Sequence, residues 1–460
     1  AELRGNARVT DVPGRAGGVE LMAARDIDLL YGPDGQTVER ARLDGTSAIH
    51  VSGASGQPSR TITAGSMDVG LAGGSTPTSL AARTAIELTI PASTDGPQRV
   101  IQAQTLDASG DGEHGLQTAR FVGNVLFREH LAPGRDRTAR SARLETAVTP
   151  GLGTIEDARF QQNVRFVDVD LSADAAAAHY RLGAGTLGLS GSEPGRERPH
   201  LVHARVGVHA KDMTIALAGP EVEAAGDVKS VLQPQRQASG DDRVVMPSLL
   251  KADQAVNVTA EQLHYSGRGK RAVYTGRAWL WQGDTSIKGD GITVDDTRGD
   301  IAAKGSVATT TIFEQTGEAG RPERVRTTTT ANAFQYTEEG RRATYTGDAH
   351  MNGIQGDVTA ARIELFLKPS GDALERAEAY DDVKLREKTR RTAGARMTYF
   401  SADERYVMTG APVTAEDECG RETSGRTLTF YRTTDRIVVD GNELIRTQSK
   451  GGGTKCSSAE

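Results

Sequence analysis

What most constrains this chain is that it copies itself. Residues 256–310 read VNVTAEQLHYSGRGKRAVYTGRAWLWQGDTSIKGDGITVDDTRGDIAAKGSVATT. Short runs alternate apolar with polar residues, and Gly, Asp, Asn and Ser clusters separate them. That is the writing of half-buried β-strands joined by tight turns, with no helical period. Ala260-x-x-Leu263-x-Tyr265 is followed by Ala272-x-Tyr274-x-Gly276-x-Ala278-x-Leu280, and then Gly289-x-x-Ile292-x-Val294 leads to Gly305-Ser-Val307. The same text returns 71 residues later, where Thr259, Ala260, Tyr265 and Gly276 become Thr330, Ala331, Tyr336 and Gly347. A repeat that small cannot bury its own apolar face, so neighbouring copies must stack.

Two half-motifs carry the repeat. The first is a small residue, two of any type, then apolar residues at alternate positions. It starts at Ala24, Ala64, Ala103, Ser141, Ala210, Ala260, Gly289, Ala331, Ala360, Gly394 and Gly425, with a poor copy near Ala177–Tyr180, about twelve in all. The second centres on a Gly followed by a polar and a small apolar residue, as in Gly123-Asn-Val125, Gly226-Asp-Val228 and Gly347-Asp-Ala349. Glycine weakens a strand unless the chain bends there. The spacing predicts that each such Gly marks the point where a strand passes from one sheet to the facing one. Gln162-Asn163 and Asp381-Asp382 stand in where the Gly is missing, since Asn and Asp tolerate the backbone that Gly permits.

Composition agrees with a thin β structure. Of 460 residues, 53 are Gly and only 5% are aromatic, which suits a narrow seam rather than a thick core. Net charge is −6, with 55 basic and 61 acidic residues interspersed, and this argues against a nucleic-acid partner. No apolar run is long enough to span a membrane as a helix. Leu3-Arg-Gly5-Asn6-Ala7-Arg-Val9 reads as the second half of a repeat, so the expectation is that upstream sequence, with a signal or an anchor, once preceded it. Residues 232–247, polar and with two prolines, are the best linker between weaker repeats at 1–231 and sharper ones at 248–448; the tail 449–460 reads as disordered. Asp174–Tyr180, with four consecutive alanines, reads as at most a turn of helix. Cys419 and Cys456 leave two readings open, a disulfide in an oxidising compartment or two incidental thiols.

The fold class predicted is all-β: two antiparallel sheets facing each other, built of about twelve stacked repeats. At ~4.8 Å per strand such a stack is on the order of 60 Å long. Its inward faces mix large and small residues, which points to an under-filled seam and so to an apolar groove. An open sheet edge invites strand addition by a partner.

The run T-A-x-x-L-x-Y, a Gly-rich turn, then R-A-V-Y-T-G-x-A-x-L-x-Q-G-D-T-x-I-x-G-D-x-I-x-V resembles the OstA-like family. That family includes the LptA and LptC proteins and the periplasmic domain of LptD, in lipopolysaccharide export. The likeness is best over 256–310 and 326–445 and diluted over 20–230. It implies an elongated antiparallel β-jellyroll, or β-taco, with an open apolar groove that carries the acyl chains of lipopolysaccharide (lipid A) across the periplasm. It implies joining to other jellyroll proteins of the export machine through edge strands. The chain departs from the family in being two to three times the length of one family domain. Family contacts carry over only as groove-lining apolar positions: Leu263, Tyr265, Trp279, Trp281, Ile292, Val294, Phe334, Tyr336, Met351, Ile363, Leu365, Met397, Tyr399, Met408, Leu428 and Phe430. Arg271, Arg277, Lys288 and Arg342 are candidates for a rim that meets head-group phosphates, and a solvated strand face explains them equally well.

Catalytic and cofactor motifs are missing from the sequence. There is no H-E-x-x-H, G-x-S-x-G or Walker loop, and no His sits with Cys or acidic residues at metal spacing. Asp290, Asp295, Asp296 and Asp300 are better explained as turn residues than as a calcium site. No enzyme, metal or cofactor is therefore expected. Two other readings stay open: a structural envelope scaffold or adhesin, and a carbohydrate-active β-solenoid, which needs carboxylates recurring in register on one face.

Overall fold

The computed structural model describes residues 1–11, 17–53, 57–93, 96–149, 152–191, 199–204, 206–219, 221–234, 245–316, 322–353, 356–387, 389–434, 436–442 and 444–450. Among these are 28 strands, β1 to β28 in chain order, and one three-residue helical turn. The chain divides into two compact units, Ala1–Ala225 and Gly226–Glu460.

Within each unit the strands run antiparallel to their sequence neighbours, and nearly every pairing skips register near its middle. Strand β16 (Val256–Ser266) pairs with β17 (Arg271–Gln282), and the skip falls between Thr259 and Gln262. On β17 the skip falls between Thr275 and Ala278, at Gly276 with φ +80° and Arg277 with φ +47°. The second half-motif is thus a pair of left-handed residues. The same pair recurs at Gly123-Asn124, Gly226-Asp227, Gly305-Ser306 and Gly347-Asp348. The two stand-ins behave as expected, Gln162-Asn163 at 66° and 54° and Asp381-Asp382 at 62° and 49°.

The first half-motif is the answering bend on the neighbouring strand. In β16 the side chains of Val256, Val258 and Ala260 are buried, Glu261 and Gln262 are both exposed, and burial resumes at Leu263. Two successive residues face outward, so the inward parity switches from even to odd across the bend. The small residue sits where the two halves converge. A Cβ on Gly394 would lie 2.8 Å from Met408 Cγ, and one on Gly425 would lie 2.7 Å from Val439 Cγ1. Strands carrying the two motifs alternate, so four strands make one 71-residue period.

Every bent strand therefore gives one half to a front sheet and the other to a back sheet, with the bends forming a spine. In the second unit, front halves include 262–266, 271–275, 333–337, 342–346 and 362–367; back halves include 256–260, 278–282, 307–316, 322–331 and 349–353. Turns at the free ends form two rims, and the gap between the rims is the mouth of a trough.

In the first unit this regularity breaks at β10 (Leu171–Arg181). Its two halves pair with separate strands, β11 (Thr186–Ser190) in front and β12 (His200–His203) behind. The alanine run, read from sequence as at most a turn of helix, is part of β10. Ala176 and Ala178 alternate inward and are buried, Ala178 opposite Phe160 of the neighbouring strand, so burial on a strand outweighs helix propensity. Of the expected linker, 235–244 lie outside the described residues. Of the expected disordered tail, Ser449 and Lys450 belong to β28 (Gln448–Lys450), and 451–460 lie outside. Cys419 is disulfide-bonded, while Cys456 lies outside the described residues.

Candidate functional site

The trough of the second unit is lined by alternate residues of both sheets. Of the sixteen apolar candidates, Leu263, Ile292, Val294, Phe334, Tyr336, Met351, Ile363, Leu365, Met397, Tyr399, Met408, Leu428 and Phe430 are buried with inward parity. Tyr265 shares that parity and is half-buried at the end of its strand. Aromatic contacts run from strand to strand along the front sheet: Phe334 to Tyr345 at 5.0 Å, Tyr399 to Tyr406 at 4.8 Å, and Tyr406 to Phe430 at 6.2 Å between centroids. The sheets lie close. Tyr345, in front, places its hydroxyl 2.8 Å from Thr309 Oγ1 behind. Burial pushes the Tyr345 phenol up to about 12, with hydrogen bonds from Thr309 and Thr329 pulling the other way.

Trp279 and Trp281 are a correction. They occupy the outward positions of β17, whose inward residues are Ala278, Leu280 and Gln282, and Trp279 is 39% exposed. The left-handed pair in β17 adds two residues and so keeps parity even throughout, leaving both tryptophans outside. There the two rings pack at 4.5 Å and the Lys288 ammonium stands 4.7 Å over Trp279.

The basic candidates also separate. Arg271 and Arg342 are exposed at the front rim, the first residues of their strands. Arg277 is a correction: it sits at the spine, opposite the mouth, paired to Glu261 at 2.9 Å. Lys288 is another, on the outer face of the back sheet beside Trp279. The acidic quartet acts largely in turns. Asp295 Oδ1 accepts the N–H groups of Thr297 and Arg298, and Asp300 Oδ1 accepts that of Glu338.

The mouth of this trough is crossed. The segment 245–254, just before β16, runs from the front rim to the back rim and buries Leu249 and Leu250. Glu314 N–H, behind, also donates to Asp372 O of a front-rim turn at 2.7 Å.

The first unit has its own trough, and polar clasps cross it. Arg60, buried on the back sheet, donates to Leu152 O at 3.1 Å and Gly153 O at 2.9 Å on the front rim. Beside it lies a buried network. Arg99 meets Glu129 at 3.0 Å, Arg137 meets Glu129 at 3.1 Å and Asp168 at 2.7 Å, and Tyr180 reaches from the front sheet to Glu129 at 2.9 Å. Two cations face two carboxylates, so each charge is answered. Sequence reasoning missed this network, because Arg and Glu in alternating strands read as solvent-facing. A count of inward parity from Ile101, Phe127 and Ala139 would have placed Arg99, Glu129 and Arg137 inside.

The profile of the family described as LptA/(LptD N-terminal domain) LPS transport protein matches twice, over 257–364 and 328–436, the two starts lying 71 residues apart. None of the curated proteins is similar to the chain by sequence. Among solved structures, LptH from Pseudomonas aeruginosa, titled the LptA homologous periplasmic component of the lipopolysaccharide transport device, aligns at 14% identity with a TM-score of 0.24, covering 34% of this chain and 92% of that one. The paired halves, the bent strands and the twice-matched profile agree: over residues 257–436 the chain is similar to the family described as LptA/(LptD N-terminal domain) LPS transport protein.

Proposed function

We propose that this chain shelters the acyl chains of lipid A in its trough and hands lipopolysaccharide from the inner towards the outer membrane, as a non-enzymatic periplasmic bridge. The observation that carries the reading is the coincidence of the two family matches with a trough lined by thirteen buried apolar side chains of matching parity. Burial of an acyl chain is worth about 0.8 kcal/mol per CH₂. Full enclosure of several chains would bind too tightly for transfer, whereas many equivalent positions along a row of bent strands let a chain move in small steps. Arg271 and Arg342 stand at the front rim, where phosphates of a head group outside the trough would pass. Other jellyrolls of the export machine would add at strand edges. At one end of the second unit, the edge is made by the short strands β27 (Arg436–Asp440) and β28, which pair only with β26 (Glu422–Tyr431) among the described residues. Among those residues no helix is long and apolar enough to cross a membrane.

Mass spectrometry of lipid extracted from the chain purified out of an envelope that makes lipopolysaccharide tests this. Lipid A species at near-stoichiometric amounts are expected. Recovery of phospholipid alone, or of no lipid, would count against it.

A further inference from the structure

The segment that crosses the mouth of the second unit is held differently from everything around it. Strands there are fixed by continuous backbone ladders. The segment 245–254 is fixed mainly by three side chains, Glu338 and Tyr336 at the front rim and Gln282 at the back, and the Tyr336 hydroxyl lies 2.7 Å from that of Ser248. At the front rim, Glu338 Oε2 accepts the Ser248 N–H at 2.6 Å and the Ser248 hydroxyl at 3.0 Å, while Tyr336 donates its own hydroxyl to the same oxygen at 2.9 Å. At the back rim, Gln282 is 4% exposed; its Oε1 accepts the Lys251 N–H at 2.6 Å, and its Nε2 donates to Lys251 O at 2.8 Å and Gln254 O at 2.9 Å. Val245 N–H adds one backbone bond, to Asp296 O. Between the two anchors the chain turns on the Leu250 N–H to Pro247 O bond and buries Leu249 and Leu250. Beside Leu249 a cavity of about 480 Å³, lined by Ile312 and Phe313 but mostly by polar side chains, reaches from the back rim to the front-rim turn at Ser370–Asp372.

Two leucines thus lie buried under an otherwise largely polar mouth, on a strap without strand pairing, next to unfilled space. We propose that acyl chains enter the trough of the second unit at this place, and that Leu249 and Leu250 close it until an acyl chain displaces them. The ligand class is an amphiphile with a saturated chain. The inference rests on the transport reading above, and it names the gate that reading requires: a trough whose mouth is crossed cannot load until the crossing moves. Glu338 and Gln282 set how firmly the strap is held. Because the anchors are side-chain hydrogen bonds rather than a ladder, opening costs a few polar contacts and leaves both sheets whole.

The test uses the full chain with dansyl-labelled dodecanoic acid as probe. Leu249→Ser combined with Leu250→Ser is expected to tighten probe binding about tenfold, since the competing apolar groups are gone. Glu338→Gln, which removes a charge at the surface end of the strap and none of the core, is expected to tighten it severalfold. In the unaltered chain, hydrogen exchange read by mass spectrometry is expected to show residues 245–254 losing protection at saturating probe while β16 and β17 keep theirs. Unchanged or weaker binding in both variants would overturn the proposal, as would protection of 245–254 that holds or rises on binding. Purified lipopolysaccharide in place of the probe separates the two claims. Probe responses as described with no lipopolysaccharide bound would keep the strap and reject transport; lipopolysaccharide bound with the strap undisturbed would reject the strap alone.

Discussion

Each bend turns on one or two residues, and their constraints are of two kinds. At Gly276 the backbone is left-handed, and an added Cβ would also stand 2.6 Å from Glu261 Cβ. Gly276→Ala should therefore cost about 2 kcal/mol, read as a lower urea midpoint. Gly269→Ala, in a turn where the nearest atom would be at 3.5 Å, should be within about 0.5 kcal/mol of the parent. Equal losses would contradict the bend account. Glycines of this kind were legible in the sequence, and so were Gln162-Asn163 and Asp381-Asp382, whose short polar side chains advertise the conformation. Thr84-Ala85, left-handed at 68° and 49°, was not, because neither residue type signals it. Tyrosines give a second test at this scale. Tyr180, Tyr274, Tyr336, Tyr345, Tyr380 and Tyr406, six of the ten in the chain, are all pushed up, in each case chiefly by burial. A raised folded value means that their stabilising contribution is complete below the ordinary range near 10 and drains away as pH rises, through about 12 for Tyr274 and Tyr345. Tyrosinate absorbance should rise in two phases, the later one coinciding with loss of the β-sheet circular dichroism. One smooth phase preceding unfolding would contradict it.

Strands obey parity before they obey size. Alternation in β17 already placed Ala278 and Leu280 on one face, yet the tryptophans are the larger apolar groups and invite an inward assignment. Position decides, since a side chain cannot leave its face without a register slip of the whole strand. Leu280→Ala should thus cost about 2–4 kcal/mol by leaving a cavity, whereas Trp279→Ala should cost under about 1 kcal/mol. Denaturant unfolding of the two variants checks the ranking, and a reversed order would mean that the faces are misassigned. Parity across the first half-motif was readable only once its two outward residues were recognised as the bend. The strap was not readable: one Leu-Leu pair in a polar stretch looks like linker, and two side chains that anchor the strap, Gln282 and Glu338, lie 32 and 88 residues from Leu250.

At the scale of the molecule, the family profile covers part of the second unit and none of the first. The bends explain why both nevertheless have the same construction: they depend on a two-residue conformation that several sequences satisfy. The interiors differ more than the frameworks. In the first unit the clasp of Arg99, Glu129, Arg137 and Asp168 is internally neutral, so Glu129→Ala leaves two buried guanidinium groups short of an acceptor. A loss of about 3–5 kcal/mol is expected, seen as early unfolding of peptides from 1–225 in hydrogen exchange. No change there would mean that water reaches the network. Whether the trough of the second unit holds lipid is the central claim, and a photo-activated cross-linker placed in living cells tests it most directly. At Tyr336 and Leu365, which face inward, the account predicts a lipopolysaccharide adduct, and at Trp279, on the outer face, none; absence of the adduct at both inward positions, or its equal appearance at all three, would contradict it.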